Sequence, residues 1–367
     1  MARSQTSPYG SSTQAGNANR KPLCSAPPRP QRQLAPAVAA DPHRAAAILN
    51  GGLKWLNGTV LHYCFFPGNS RYAVPTAQAQ AVREAMATWK AVGIGVQFQE
   101  VQQLSEAEVR IGFSLADGSS ASAVGRDVLT IPLNEPTTVY GWDLTTDYGR
   151  GTALHELGHV LGMEHEHQNP FAGIKWHEEA VYQALAQPPN RWSRETTFHN
   201  ILEKLSPQQV QGSAWDPDSI MEYEFEPHLI DEPQRYDDEG LVPPGTLSAA
   251  DKTWALKWYP AADGATPAQL EAFKSVVVEL GAGQQVDLVF KPQQSRKYTI
   301  ATKGACDTVM ALFEEVGGQP RYVTADDDSG EDRNASIRHK LFAGRTYHVR
   351  LRVYYPGQSG ITSVMAS

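Results

Sequence analysis

Three cysteines in 367 residues, Cys24, Cys64 and Cys306, are too few and too scattered for a disulfide scaffold. Their odd number leaves at least one thiol without an internal partner. No apolar run approaches the roughly 18 residues needed to span a bilayer, so no transmembrane segment is expected. The opening stretch Met1-Ala2-Arg3-Ser4-Gln5 lacks the apolar core of a secretory signal. Basic charge is not in excess either. A net charge of -8 and a pI near 5.8 argue against nucleic acid as a main partner.

The length allows two domains with real cores. Residues 1–50 read as a flexible tail or propeptide, with six Arg/Lys against one acid and Pro22, Pro27, Pro28 and Pro30 interrupting any helix. From Gly51 the composition changes. A turn at Trp55-Leu56-Asn57-Gly58 leads into an apolar strand through Phe66. The spacing of Ala81, Ala85 and Trp89 predicts an amphipathic helix over 76–91. Short strands are expected at Val96-Phe98, Val109-Phe113 and Val128-Ile131. A break near Tyr259-Pro260-Ala261-Ala262-Asp263-Gly264 closes a first domain of residues 51–261. Beyond it the period changes to two. Tyr347, Val349, Leu351 and Val353 alternate with polar residues, and similar runs recur at Val276-Leu280, Val286-Phe290, Tyr298-Ala301 and Val309-Phe313. Residues 266–367 are therefore expected to form an all-β sandwich. The fold class is α+β, a mixed twisted sheet with a histidine-bearing helix followed by that sandwich.

The richest stretch runs from Thr152 to His165. On a helix, His155 and His159 lie one turn apart on one face and can share a metal ion. Gly162 falls where the helix must stop, and the reversal can bring His165 round as third ligand. Three protein ligands leave a fourth position for water, the mark of a catalytic zinc site. Glu156 follows the first ligand and can act as general base on that water. With average residue usage, this combination arises by chance about once in ten million start positions. Leu154, Leu157 and Leu161 share the opposite face and can anchor the helix in a core. A purely structural zinc would need a fourth protein ligand, and only Cys24, at long range, offers one. The reading expected from the intact open-site motif is a zinc-dependent endopeptidase acting on proteins or peptides.

This helix, followed by Ser219-Ile220-Met221-Glu222-Tyr223, resembles the metzincin metallopeptidases and most nearly their astacin-like branch. The resemblance covers about residues 51 to 261. It implies a methionine turn beneath one zinc ion per chain, with Met221 in the turn and Tyr223 helping to stabilise the reacting carbonyl. Trp55-Leu56-Asn57-Gly58-Thr59 looks like the opening strand of such domains, and Glu166 follows the third ligand as in astacins. The segments His165-Glu166-His167-Gln168-Asn169-Pro170 and Leu247-Ser248-Ala249-Ala250-Asp251 look like microbial relatives. Position 222 is Glu where astacins usually have His. The two disulfides of animal astacins cannot form, and their propeptide aspartate latch is absent. The C-terminal region resembles bacterial pre-peptidase C-terminal domains, through Cys306-Asp307-Thr308-Val309-Met310-Ala311-Leu312-Phe313, Asp326-Asp327-Asp328-Ser329-Gly330 and Leu341-Phe342-Ala343-Gly344-Arg345-Thr346-Tyr347. Such modules accompany secreted proteases, which implies an extracellular protein.

Other residues are weighed singly. His167 is expected beside the site rather than on the metal, and His177 and His199 are expected to be structural. The acidic run Asp326, Asp327, Asp328, Glu331 and Asp332 offers clustered carboxylates for calcium, although acidic turns are commonly just solvated. Cys24, in the stiff segment Lys21-Pro22-Leu23-Cys24-Ser25-Ala26-Pro27-Pro28, is either a free or lipid-modified thiol or a latch. As a latch it would take the fourth zinc position in an inactive precursor.

Overall fold

The computed structural model describes residues 21–25, 53–55, 59–115, 118–205, 214–260, 267–281, 284–354 and 358–367. Most of the expected tail, the turn at 56–58 and the interdomain break at 261–264 lie outside the described residues. Among the described residues no helix is long and apolar enough to cross a membrane.

The first half builds a mixed sheet. Strands β1 (Val60–Phe65), β2 (Gln97–Glu100), β3 (Val109–Phe113), β4 (Ala121–Ser122) and β5 (Thr138–Tyr140) stand in the order β2-β1-β3-β5-β4. All neighbours are parallel except β4, which runs antiparallel to β5 at the edge. Helix α1 (Thr76–Ala91) occupies the expected span, with Ala81, Ala85 and Trp89 buried. Helix α2 (Asp147–Val160) carries the histidines. The Trp89 indole donates to the Leu154 carbonyl at 3.1 Å, tying α1 to α2 within one core that includes Leu61, Ile111, Leu157 and Leu161. The strand expected at Val128-Ile131 is instead part of a 3-10 helix, Gly125–Thr130. Gly125 takes φ +51° there, and Arg126 N donates to the Leu53 carbonyl at 2.7 Å. A short apolar run buries equally well as one helical turn, so its pattern cannot separate the two.

After α2 the chain builds a second core. It is formed around Ile174, Val181, Ile201, Phe225 and Ile230, from the strand pair β6 (Lys175–Trp176) and β7 (Ile230–Glu232) and from helix α3 (Glu178–Leu185). Leu23 and Cys24 insert into this core from the tail. Helix α4 (Ala249–Trp258) then returns to the first core, started by a capping box between Ser248 and Asp251.

The C-terminal region is a two-sheet sandwich, as expected. One sheet has the order β13-β12-β15-β10-β8, from Gln319–Asp326, Thr308–Val316, Tyr347–Val353, Gln285–Phe290 and Ala268–Leu270. The other has β14-β11-β16-β9, from Ser336–Leu341, Arg296–Gly304, Gly360–Ala366 and Val276–Leu280. Tyr347, Val349, Leu351 and Val353 all face the core. On the other face of that strand Arg350 and Arg352 are buried too, where alternation alone predicts exposed positions. The first domain covers part of this face: Trp55 meets Tyr322 edge-on at 6.4 Å, Arg126 donates to the Tyr322 hydroxyl at 3.2 Å, and Arg321 pairs with Glu106 at 3.1 Å.

Candidate metal centre

The histidine helix is fixed at both ends. At its start the Thr146 side chain accepts from Gly149 N at 3.0 Å. At its end Gly162, at φ +90°, donates to the His159 carbonyl (2.8 Å) and Met163 N to the Gly158 carbonyl (2.9 Å). This paired reversal turns the chain back over the helix, and only glycine takes that conformation without strain. The Trp55 indole and the Tyr259 hydroxyl donate to the carbonyls of Val160 and Leu161, satisfying groups the helix end leaves open.

The reversal brings His165 back against His155 and His159. The three rings lie 4.6 to 5.4 Å apart, centre to centre. Their hydrogen bonds decide which nitrogens are available. His155 Nδ1 faces the Ile220 carbonyl and His159 Nδ1 the Met163 carbonyl, each at 2.8 Å, so Nδ1 carries the proton in both. His165 Nδ1 lies 3.3 Å from Gln168 Oε1. The Gln168 amide nitrogen donates to the carbonyls of His199 and Glu203, which fixes Oε1 as acceptor and makes His165 Nδ1 a donor as well. All three Nε2 atoms are therefore left with lone pairs. Those of His159 and His165 face each other at 3.1 Å, and that of His155 is buried without a hydrogen-bond partner. Lone pairs opposed in a dry pocket repel unless a cation lies between them. Burial, reinforced by the neighbouring histidines, holds His155 and His165 well below the usual imidazole range, which keeps them neutral donors.

Cys24 completes the group. Its sulfur lies 3.9 Å from His159 Nε2, and the ligand atoms of Cys24, His155, His159 and His165 all fall within 4.8 Å of one another. This buried set could hold a metal ion, and three imidazoles with one thiol are the donor chemistry of zinc. Among the described residues it is the one such group of three or more. The acidic run of the sandwich does not converge in this way. Asp326 instead accepts from Ser329 N, Ser329 Oγ and Ser336 N, holding its own turn together.

The segment bearing Cys24 is held along its length. The Tyr223 hydroxyl donates to the Cys24 carbonyl at 2.8 Å, Ser25 N donates to Ser120 O at 2.9 Å, and Tyr148 donates to the Pro22 carbonyl at 2.5 Å. Glu156 is fully buried beside the cluster, with the Cys24 thiol as its neighbour. Burial raises it to about 8. Burial, and then the charge of Glu156, push the Cys24 thiol well up from its ordinary value.

Beneath the histidines lies the turn Ser219–Tyr223. The Asp251 carboxylate accepts from Ser219 Oγ (2.7 Å) and Ile220 N (2.8 Å), so the capping box of α4 also sets this turn. Met221 is buried, its sulfur pressed against the missing side chain of Gly158, so it packs under the site rather than facing the histidine nitrogens. Glu222 accepts from the Trp215 indole (2.7 Å) and Tyr223 N (2.8 Å), and lies 3.3 Å from His167 Nδ1. His167 thus stays off the ligand group, as expected, with its Nε2 facing the Asn200 carbonyl at 2.8 Å. His177 and His199 stand apart beside carboxylates, His199 3.0 Å from Glu203. Glu166 accepts from Asp216 N and Asn169, and burial raises it to about 7. Sequence reasoning did not pick out Gln168, Tyr148, Trp215 or Glu224 as site residues. Gln168 alone had a signal, its place three residues after a proposed ligand.

No protein-family model matches the chain, and no curated protein matches it. Two solved structures of myroilysin do. One is 32% identical, covering 57% of this chain and 96% of that one with a TM-score of 0.50. The other is 30% identical, covering 57% and 87% with a TM-score of 0.43. A pre-peptidase C-terminal domain of collagenase from Bacillus anthracis is 13% identical, covering 29% of this chain and 99% of that one with a TM-score of 0.25.

Proposed function

Over 57% of its length the chain belongs to the family of myroilysin, and from that premise we propose that it is a zinc endopeptidase of astacin-like metzincin type, cutting proteins or peptides outside the cell. The observation that carries this reading is a trio of buried imidazoles whose Nε2 lone pairs converge beside a fully buried carboxylate. A purely structural site has no use for Glu156 there, since burying a carboxylate away from any cation is costly.

His155, His159 and His165 would hold the zinc. When bound, zinc polarises a carbonyl and brings the pKa of a water it holds to about 7. Glu156 would then accept a proton from the attacking water and pass it to the leaving nitrogen. The Tyr223 hydroxyl donates to the oxygen that gains charge, a contribution typically of about 2.7–4 kcal/mol. Cys24 is read as the latch of a zymogen, because its thiol would fill the position that the water needs. The sandwich, residues 266–367, is read as a separate domain serving anchoring, secretion or large substrates.

Metal analysis beside a casein assay tests the core of the reading. One zinc per chain and loss of proteolysis with chelator are expected. Glu156→Ala should keep the metal and lose most turnover, since it removes the base and no ligand. A Glu156→Ala protein as active as the parent would sink the assignment.

A further inference from the structure

Beside the histidine cluster lies a cavity of about 210 Å³, walled by Tyr148, Thr152, Glu224 and Pro243–Gly245 and reaching His155 and Cys24. The carboxylates on its wall are Asp147, Glu222 and Glu224, and the one lysine or arginine there is Lys21, which belongs to the Cys24 segment. Glu222 is already held by the Trp215 indole and Tyr223 N, and Asp147 pairs with Arg150. Glu224 instead meets Lys21, Oε2 to Nζ at 2.6 Å, while the same ammonium stands 5.0 Å from the centre of the Tyr148 ring. Trp142 stacks on Tyr148 and stiffens that wall.

We propose that this cavity is a subsite for a lysine or arginine side chain of the substrate, read by the Glu224 carboxylate and the Tyr148 ring. The inference rests on the peptidase reading above and names its substrate class. Lys21 shows the chemistry that fits: a cation on a long apolar stem, flanked by a carboxylate on one side and an aromatic face on the other. When the segment leaves, its ammonium leaves with it. The wall is then acidic with no cation of its own among its described residues, which favours a basic side chain and repels an acidic one. The Tyr148 hydroxyl that now holds the Pro22 carbonyl would hold the backbone next to the bound cation. Lys21 is three residues from Cys24, and three extended residues reach about 10 Å. The preference should therefore fall at one position within about three residues of the cut bond.

The Lys21–Glu224 pair is partly exposed, with side chains 42% and 32% accessible, so screening limits the effect to roughly tenfold. The test uses the full chain carrying Lys21→Ala and Cys24→Ser, which takes the segment's own cation off Glu224, alone and with Glu224→Gln or Glu224→Lys, on an equimolar peptide library whose cut ends are sequenced. We expect lysine and arginine enriched about tenfold at one position, the enrichment lost in Glu224→Gln and turned toward Asp and Glu in Glu224→Lys. Cleavage without basic enrichment, or with the same enrichment in all three proteins, overturns the subsite and leaves the peptidase standing. A chain that holds zinc and cuts no peptide overturns both.

Discussion

The Tyr223 hydroxyl lies 2.7 Å from His165 Nε2 and donates to the Cys24 carbonyl at 2.8 Å, so one phenol touches both a candidate ligand and the segment lying across it. Under the proposed peptidase reading, that donation stands in for one to a substrate oxygen. Burial first, and then the charges of Cys24 and Glu156, push the phenol well above its ordinary value, so it stays protonated and able to donate.

Tyr223→Phe is therefore expected to lower kcat by roughly ten- to a thousandfold with a smaller change in KM, because the lost bond forms fully only as charge develops. Steady-state kinetics on one peptide decides it. Equal kcat values for the two proteins would return Tyr223 to a packing role.

How much of this was legible in the sequence follows from the range of each interaction. The histidine helix, its stop at Gly162 and the span of α1 are local, written in spacings of three and four residues, and the structure has them where expected. The strands β13, β14 and β16 went unread, since their alternation is broken by charged and polar residues on both faces. Buried Arg350 and Arg352 were unreadable for another reason: a second domain covers their face, and no local pattern encodes that. Glu224 is the sharpest case. Its partner lies 203 residues away, so nothing around it in the chain marks it out.

Packing beneath the histidines gives a second prediction. A Cβ on Gly158 would fall 2.3 Å from the Met221 sulfur, so Gly158→Ala must push the methionine aside in a buried turn. A loss of about 1–3 kcal/mol in unfolding free energy is expected. Met221→Ala should cost less in the Gly158→Ala background than in the parent, because the alanine fills part of the space it opens. Strict additivity in denaturant titrations of the four proteins would show that the two residues do not share this space.

In the sandwich, burial, then the nearby Asp328, raise Asp327 from 3.8 to about 6, with Arg126 opposing. A carboxyl raised on folding favours the native state below its unfolded value and loses that contribution as pH rises through its folded one. Stability should thus fall between about pH 4 and 6. Two units correspond to about 3 kcal/mol at most, and partial exposure to solvent reduces this to about 1–2. Asp327→Asn cannot ionise and should melt several degrees higher at pH 7.5, with the gap closing toward pH 4. A gap that persists unchanged at pH 4 would mean that ionisation of Asp327 is not its cause.

The Cys24 segment yields the last prediction. A thiolate is a strong zinc ligand at about 2.3 Å, and this sulfur already sits among the three histidines, carried by a stretch fixed at Lys21, Pro22, Cys24 and Ser25. Bound there it would exclude the water on which Glu156 acts, leaving the full chain inactive. Cys24→Ser replaces that ligand by a hydroxyl, a much weaker one, and leaves the rest of the segment's contacts in place. Activity of the intact chain should therefore rise at least tenfold. Removing residues 1 to about 50 should raise it further, because Lys21, Pro22 and Leu23 still cross the cleft in Cys24→Ser. The free or lipid-modified thiol predicts no change from the serine alone. Peptide cleavage by the parent, Cys24→Ser and the shortened chain, with zinc content measured in each, separates the two. If the parent and Cys24→Ser match while both carry the tail, the thiol is no latch.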